Sequence, residues 1–91
     1  GPVDAVYWAL ERITGLSAKL EDYQVTSVSR GKEAQGEVNL EISSEGKTYH
    51  GKGLSTDIIE ASALAYLKAL NRLATDQKLK TPPKIAATST T

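Results

Sequence analysis

The first apolar residues of the chain recur every three or four positions, which is the spacing of a helix with one buried face. They are Val3, Val6, Tyr7, Leu10 and Ile13. Pro2 suits the first turn of a helix, and Gly15 can end the helix in a left-handed C-cap. The pattern predicts a first helix over residues 2–14, followed by a connector over residues 16–20.

The next segment, residues 21–30, is rich in β-branched side chains and is typical of a strand. Its alternation of apolar and polar residues slips between Val25 and Val28, which indicates a twist or a bulge at that point. The polar residues 31–36 predict the turn that follows this strand.

The clearest strand signal is a strict alternation in which Val38, Leu40 and Ile42 alternate with Glu37, Asn39 and Glu41. It predicts a strand with one buried face, because a slip of one residue would move all three apolar side chains into water. A tight turn at residues 44–46 leads to a third strand over residues 47–53. Gly51 and Gly53 lie in that strand and would let a backbone or a ligand approach closely.

A second helix is predicted over residues 56–74, where the apolar residues again follow helical spacing. Ser55, Thr56 and Asp57 are possible N-caps of this helix. Asp57 and Glu60 also have the spacing of a capping box, in which the two side chains bond to each other's backbone N–H groups.

The helical pattern weakens after Gln77, and residues 78–91 contain two adjacent prolines and a run of Thr, Ser and Ala. We therefore expect one domain over residues 1–77 and a disordered tail over residues 78–91. Short connections favour an antiparallel sheet, and both helices must cover its one apolar face. The predicted fold class is α+β: a two-layer α-β-β-β-α arrangement with a three-stranded antiparallel sheet and two helices on one face.

Composition limits the partners of the chain. Its 91 residues suffice for one small core, and 11 basic residues balance 11 acidic ones. A neutral chain has no general attraction to nucleic acid or anionic membranes, so we expect neither as a partner. No signal peptide and no apolar run of about 20 residues is evident, which favours a cytoplasmic location. Because the chain starts directly in a helical pattern, we expect it to be a piece of a longer protein.

No group of residues predicts catalysis or a cofactor. The chain has no cysteine, and His50 is its one histidine, so a zinc site is not expected. Glu37 and Glu41 share the outer face of the second strand, as a general acid and base might, but outer strand faces are usually simply charged. Ser55 and Thr56 are better explained as helix caps than as nucleophiles.

A glycine-led segment precedes each helix, at residues 1–5 and residues 53–57. A helix start presents unpaired N–H groups and partial positive charge, which can hold the carboxylate of a small ligand. Asp4 or Asp57 could then face an ammonium group, so the two starts together would suit a free amino acid. The alternative is that the glycines relieve steric crowding and the aspartates cap the helices.

Several of these segments resemble the regulatory domain of α-isopropylmalate synthases. The resemblance covers about residues 1–74 and is most specific over residues 55–73; related citramalate synthases share the domain. The matching segments are GPVDAV at residues 1–6, AQGEV at 34–38, GKG at 51–53, STDIIEASA at 55–63 and AYLKALNRL at 65–73.

The resemblance implies a non-catalytic module of an acyltransferase whose barrel condenses acetyl-CoA with 2-oxoisovalerate. In that family the domain dimerises, binds leucine and slows the catalytic barrel; a citramalate synthase would sense isoleucine instead. A plant member would lie in the plastid. The family's domain has two units of three strands and a helix, and this chain matches the helix of the first unit and all of the second.

Together the resemblance and the helix starts predict a set of effector-binding residues. Among them, Ala5, Gly51, Gly53 and Ala61 are small enough to leave room for a branched aliphatic side chain. The full set is Gly1, Val3, Asp4, Ala5, Gly51, Gly53, Ser55, Thr56, Asp57, Ile58 and Ala61. Unpaired sheet edges also predict self-association, and we expect a homodimer.

The same order of elements occurs in double-stranded RNA-binding domains, and residues 51–53 look similar to theirs. Such domains contact phosphates with lysines at the start of the second helix. Here residues 55–60 contain two acidic side chains and no basic one, which would repel phosphate. A third possibility is a folded scaffold that binds nothing.

Overall fold

The computed structural model describes residues 1–79, which form two helices and three strands. In chain order they are α1 (Pro2–Thr14), β1 (Lys19–Arg30), β2 (Glu33–Ser44), β3 (Lys47–Ser55) and α2 (Ile58–Leu79). The predicted α-β-β-β-α order is confirmed. Neither helix of residues 1–79 is long and apolar enough to cross a membrane.

The three strands form one antiparallel sheet in the order β1-β2-β3. At its centre, Leu40 pairs with Tyr23 of β1 and with Gly51 of β3. Val38, Leu40 and Ile42 are all buried, with 1% exposure or less. The predicted register is therefore confirmed, and the polar residues 37, 39 and 41 lie on the outer face.

The irregularity in β1 lies at Glu21. The sequence pattern predicts it between Val25 and Val28, and that prediction is wrong. The pairing with β2 shifts between Leu20 and Asp22 and is then continuous to Arg30. The bulge has a physical reason: Leu20 and Tyr23 are three positions apart, and the extra residue lets both lie on the inner face. Val25 then faces inward and Val28 faces outward without any further shift.

Both hairpin turns are short. The first consists of Gly31 and Lys32, so the predicted turn over residues 31–36 is too long. Residues 33–36 extend the ladder instead, because they pair with the end of β1. In the second turn, Glu45 and Gly46 have φ angles of 52° and 79°, as in the mirror-image turns that suit the twist of a hairpin.

Helix α2 continues to Leu79, beyond the predicted end at residue 74. Its last turns are held by polar contacts, because Asp76 accepts hydrogen bonds from the Tyr49 hydroxyl and from Lys47 Nζ. The predicted tail therefore starts too early, since Lys78 and Leu79 belong to α2. The rest of that prediction, residues 80–91, lies outside the described residues.

Two glycine residues allow α2 to pack directly against β3. A Cβ atom at Gly51 would lie 1.9 Å from the Ala65 carbonyl oxygen, and one at Gly53 would lie 2.0 Å from the Ala61 carbonyl oxygen. Only glycine allows the two backbones to approach this closely.

Helix α1 packs beside α2, on the same face of the sheet. Its Tyr7 ring lies 4.3 Å from the Tyr66 ring of α2, centroid to centroid, and meets Tyr23 of β1 edge-on at 6.5 Å. Gly15 ends α1 with φ 71°, and its N–H group donates to the Glu11 carbonyl oxygen at 2.9 Å. The predicted C-cap is confirmed.

Candidate functional site

The first turn of α1 is open to solvent and keeps its backbone donors available. Its first helical hydrogen bond runs from the Ala5 N–H group to the Gly1 carbonyl oxygen, at 3.1 Å. The N–H groups of Val3 and Asp4 therefore have no partner within the helix. The Asp4 side chain is 84% exposed, and Val3 is half-buried against the core.

At the start of α2, the polar side chains bond to one another. Asp57 Oδ1 accepts a hydrogen bond from the Ile59 N–H group at 2.9 Å, as an N-cap does. Ser55 Oγ accepts from the Asp57 N–H group at 3.1 Å and donates to Glu60 Oε1 at 2.9 Å. Glu60 thus bonds to the Ser55 hydroxyl and not to the backbone N–H group that a capping box would use.

The structure fills the room that the sequence analysis expected at three small residues. Gly51, Gly53 and Ala61 are buried, and the α2 backbone takes up the space above both glycines. A backbone, and not a ligand, is therefore the group that approaches them. Ala5, Thr56, Asp57 and Ile58 remain exposed.

The first halves of the two helices lie beside each other, since Tyr7 of α1 contacts Tyr66 of α2. Ser55, just before α2, pairs with Gly36 at one end of the sheet, whereas Lys19 begins β1 at the other end. Tyr7, in the second turn of α1, also meets Tyr23, whose hydroxyl group lies 2.8 Å from Ser62 Oγ in the second turn of α2. In residues 1–79, no hydrogen bond or ion pair joins the two starts directly.

Three tyrosines between α1, α2 and β1 were not singled out by the sequence analysis. The Tyr23 hydroxyl lies 2.8 Å from Ser62 Oγ, and Ser62 Oγ donates to the Ile58 carbonyl oxygen at 2.8 Å. Because a serine hydroxyl has one proton, Tyr23 is the donor to Ser62. The Tyr7 hydroxyl is buried, and it has no hydrogen-bond partner within residues 1–79.

Burial makes ionisation of the Tyr7 and Tyr66 hydroxyl groups less favourable. Desolvation raises the pKa of Tyr66 to about 12, with a smaller contribution from the Glu11 carboxylate. Desolvation also raises the pKa of Tyr7, and the neighbouring Tyr23, Tyr66 and Asp4 add to the rise. Both side chains are therefore neutral hydrogen-bond donors at physiological pH. Hydrophobic periodicity in the sequence could not reveal these buried hydroxyl groups, because it counts a tyrosine only as an apolar position.

Two other surface regions with polar side chains, a groove and a cluster on the outer face of the sheet, lie away from the helix starts. A groove of about 480 Å³ lies beside Tyr49, Arg72 and Asp76. Its polar side chains already have partners, because the Tyr49 hydroxyl donates to Asp76 and Arg72 donates to the His50 carbonyl oxygen at 3.0 Å. On the outer face, His50 Nε2 lies 3.1 Å from Asn39 Oδ1, and Asn39 donates to Glu37. Within the described part of the chain, no three His, Asp or Glu side chains are grouped to hold a metal ion.

Comparison with known proteins gives one consistent result. A sequence model of the LeuA allosteric (dimerisation) domain matches residues 1–74. Similar proteins include the 2-isopropylmalate synthases of Rhodopirellula baltica (52% identical over 73 residues), Sediminispirochaeta smaragdinae (57% over 72) and Pyrococcus furiosus (53% over 73). These alignments cover 80%, 79% and 80% of this chain, but only 14%, 14% and 15% of the respective relatives.

Proposed function

Because the chain belongs to the LeuA allosteric (dimerisation) domain family, we propose that it is the amino-acid-sensing and dimerising part of a 2-isopropylmalate synthase. The observation that carries the proposal is the family match over residues 1–74, together with about half identity to synthases of that name. The domain itself is non-catalytic. Its parent would condense acetyl-CoA with 2-oxoisovalerate in a separate catalytic barrel, in the cytoplasm.

The effector we propose is leucine, bound at the starts of the two helices. The free N–H groups of Val3 and Asp4 suit a carboxylate, and the exposed Asp4 and Asp57 carboxylates suit an ammonium group. Gly1, Ala5, Thr56 and Ile58 would complete the rim. Residues Gly51, Gly53, Ser55 and Ala61 would act indirectly, by fixing where α2 starts.

We favour leucine over isoleucine as the effector because the relatives from Rhodopirellula baltica, Sediminispirochaeta smaragdinae and Pyrococcus furiosus are named 2-isopropylmalate synthases. We do not propose double-stranded RNA as a partner, because Asp57 and Glu60 lie at the start of α2, where an RNA-binding domain would need lysines.

Feedback inhibition requires that leucine bind one arrangement of the parent enzyme more tightly than another. The sensing domain and the barrel would therefore have two relative arrangements, and leucine would stabilise the less active one. Coupling energies of this kind are typically about 1–3 kcal/mol, or about 5–150-fold in affinity.

A homodimer is part of the proposal. Strands β1 and β3 are the edges of the sheet, and their outer backbone groups pair with no strand of residues 1–79. Trp8 and Ile13 on α1 are also 62% and 80% exposed, so both side chains are available to a second copy of the chain.

The charge of Asp57 provides the test, in the intact synthase. Asp57→Asn keeps an oxygen that can accept the Ile59 N–H bond but removes the charge, whereas Asp57→Ala removes both. If the carboxylate meets the ammonium group of leucine, both variants should need several-fold more leucine for half-inhibition, each relative to its own uninhibited rate. Full leucine sensitivity of the Asn variant would show that Asp57 is only a cap.

A further inference from the structure

One buried hydroxyl in the core has no structural explanation. The Tyr7 side chain is only 6% exposed, yet its hydroxyl group has no hydrogen-bond partner within residues 1–79. Buried polar groups are nearly always paired, because the loss of water is otherwise not compensated. A phenylalanine would make the same ring contacts with Tyr23 and Tyr66, so packing alone does not account for the oxygen.

The neighbouring hydroxyls do not need Tyr7 as a partner. Tyr23 donates to Ser62, and Ser62 donates in turn to the Ile58 carbonyl oxygen, so this chain of hydrogen bonds is complete without Tyr7. Tyr7 therefore remains as a neutral donor beside a satisfied network.

The Tyr7 side chain extends toward the first turn of α1. Long helical side chains point back over the preceding turn, which here contains Val3 and Asp4. Asp4 is accordingly among the groups that raise the pKa of Tyr7. The hydroxyl thus lies on the side where the free N–H groups of Val3 and Asp4 are also found.

Apolar surface is available beside the hydrogen bond between Tyr23 and Ser62, which lies next to Tyr7. Val25 is the next inward-facing residue of β1 after Tyr23, yet it is 49% exposed, so the helices leave the sheet uncovered there. Ile59, in the first turn of α2, is 39% exposed. These side chains offer an aliphatic surface beside polar donors, which is the usual composition of a small-ligand site.

We infer that the Tyr7 hydroxyl is a ligand-binding group that donates a hydrogen bond to the carboxylate of an aliphatic amino acid, whose side chain lies on Val25 and Ile59. The backbone N–H groups of the first turn of α1 complete the binding of the carboxylate. This inference rests on the proposed function for the class of ligand. It adds a donor inside the core to a site otherwise assigned only to the helix starts.

The test is Tyr7→Phe in the intact synthase, with leucine affinity measured by calorimetry. The substitution keeps the ring and removes only the hydroxyl. We expect the dissociation constant of leucine to rise at least about tenfold, the lower limit for the loss of one hydrogen bond to a charged group. Leucinamide, which lacks the charged carboxylate, should be discriminated from leucine less strongly by the variant than by the unmodified enzyme.

Tyr66→Phe is the matched control, because Tyr66 is equally buried and its ring contacts that of Tyr7. Its leucine affinity should stay within twofold of the unmodified enzyme. Unchanged leucine affinity in Tyr7→Phe, or an equal loss in Tyr66→Phe, would overturn the inference while leaving the proposed function intact. If the unmodified enzyme binds no leucine, the proposed function itself fails, and the inference fails with it.

Discussion

Adding one methyl group at Gly53 should destabilise the domain more than any other glycine-to-alanine change outside β3. The new Cβ atom would lie 2.0 Å from the Ala61 carbonyl oxygen and 2.7 Å from the Ala65 amide nitrogen. Both atoms belong to the α2 backbone, so no side-chain rotation can make room. Since carbon and oxygen approach to about 3.3 Å, α2 would have to move away from β3 by about 1.3 Å.

The energetic cost of that movement can be bounded. Overpacking a core costs about 1–3 kcal/mol, and we expect the upper end because the obstacle is a helix backbone. A domain of this size has a free energy of unfolding of roughly 4–12 kcal/mol, at about 0.05–0.15 kcal/mol per residue. Gly53→Ala should therefore remove about 3 kcal/mol, which is a quarter or more of the total.

Urea unfolding, followed by circular dichroism, measures this loss. With a slope of about 1 kcal/mol per molar urea, the midpoint should fall by about 3 M. Gly46→Ala is the control, because its Cβ atom would meet nothing within 4 Å and its φ angle is 79°. It should cost only the left-handed backbone strain, about 1 kcal/mol. If Gly53→Ala costs no more than Gly46→Ala, the backbone of α2 does not lie against Gly53.

Two further expectations follow from the buried tyrosines and the open surfaces. Folding raises the pKa of Tyr66 from 10.0 to about 12, so the neutral Tyr66 side chain contributes fully to stability below pH 10 and this contribution is lost as the pH rises toward 12. Over that range the free energy of unfolding should fall by up to about 1.4 kcal/mol per pH unit. The fall should be less steep in Tyr66→Phe. The unpaired edges of β1 and β3, together with the exposed Trp8, should make the chain self-associate. Sedimentation velocity at tens of micromolar protein measures this, and a single monomer peak would contradict the prediction.

The parts of the fold that depend on neighbouring residues were predictable from the sequence. The burial of Val38, Leu40 and Ile42 follows from a period of two, and the end of α1 at Gly15 follows from one residue's freedom to adopt a positive φ. Both are local properties, so one segment contains all the information.

The features that were not predicted depend on contacts between distant segments. The bulge at Glu21 exists because Leu20 and Tyr23 must both face the helices, which only the folded sheet imposes. The last turns of α2 are held by Asp76 and its partner Tyr49, 27 residues earlier in the chain. The unpaired hydroxyl of Tyr7 likewise becomes evident only when three elements meet around it.

The structure also indicates which helix could respond to an effector. Helix α2 is fixed, because the backbone contacts at Gly51 and Gly53 leave no space for it to slide without separating from β3. Helix α1 packs against α2 and meets the sheet through the side chain of Tyr7 and not through its backbone. Under the proposed function, a ligand that bonds to Tyr7 and to the first turn of α1 would therefore act on the more weakly held of the two helices. Differential binding, which allosteric control requires, would then arise from the position of α1 relative to a rigid unit of β2, β3 and α2.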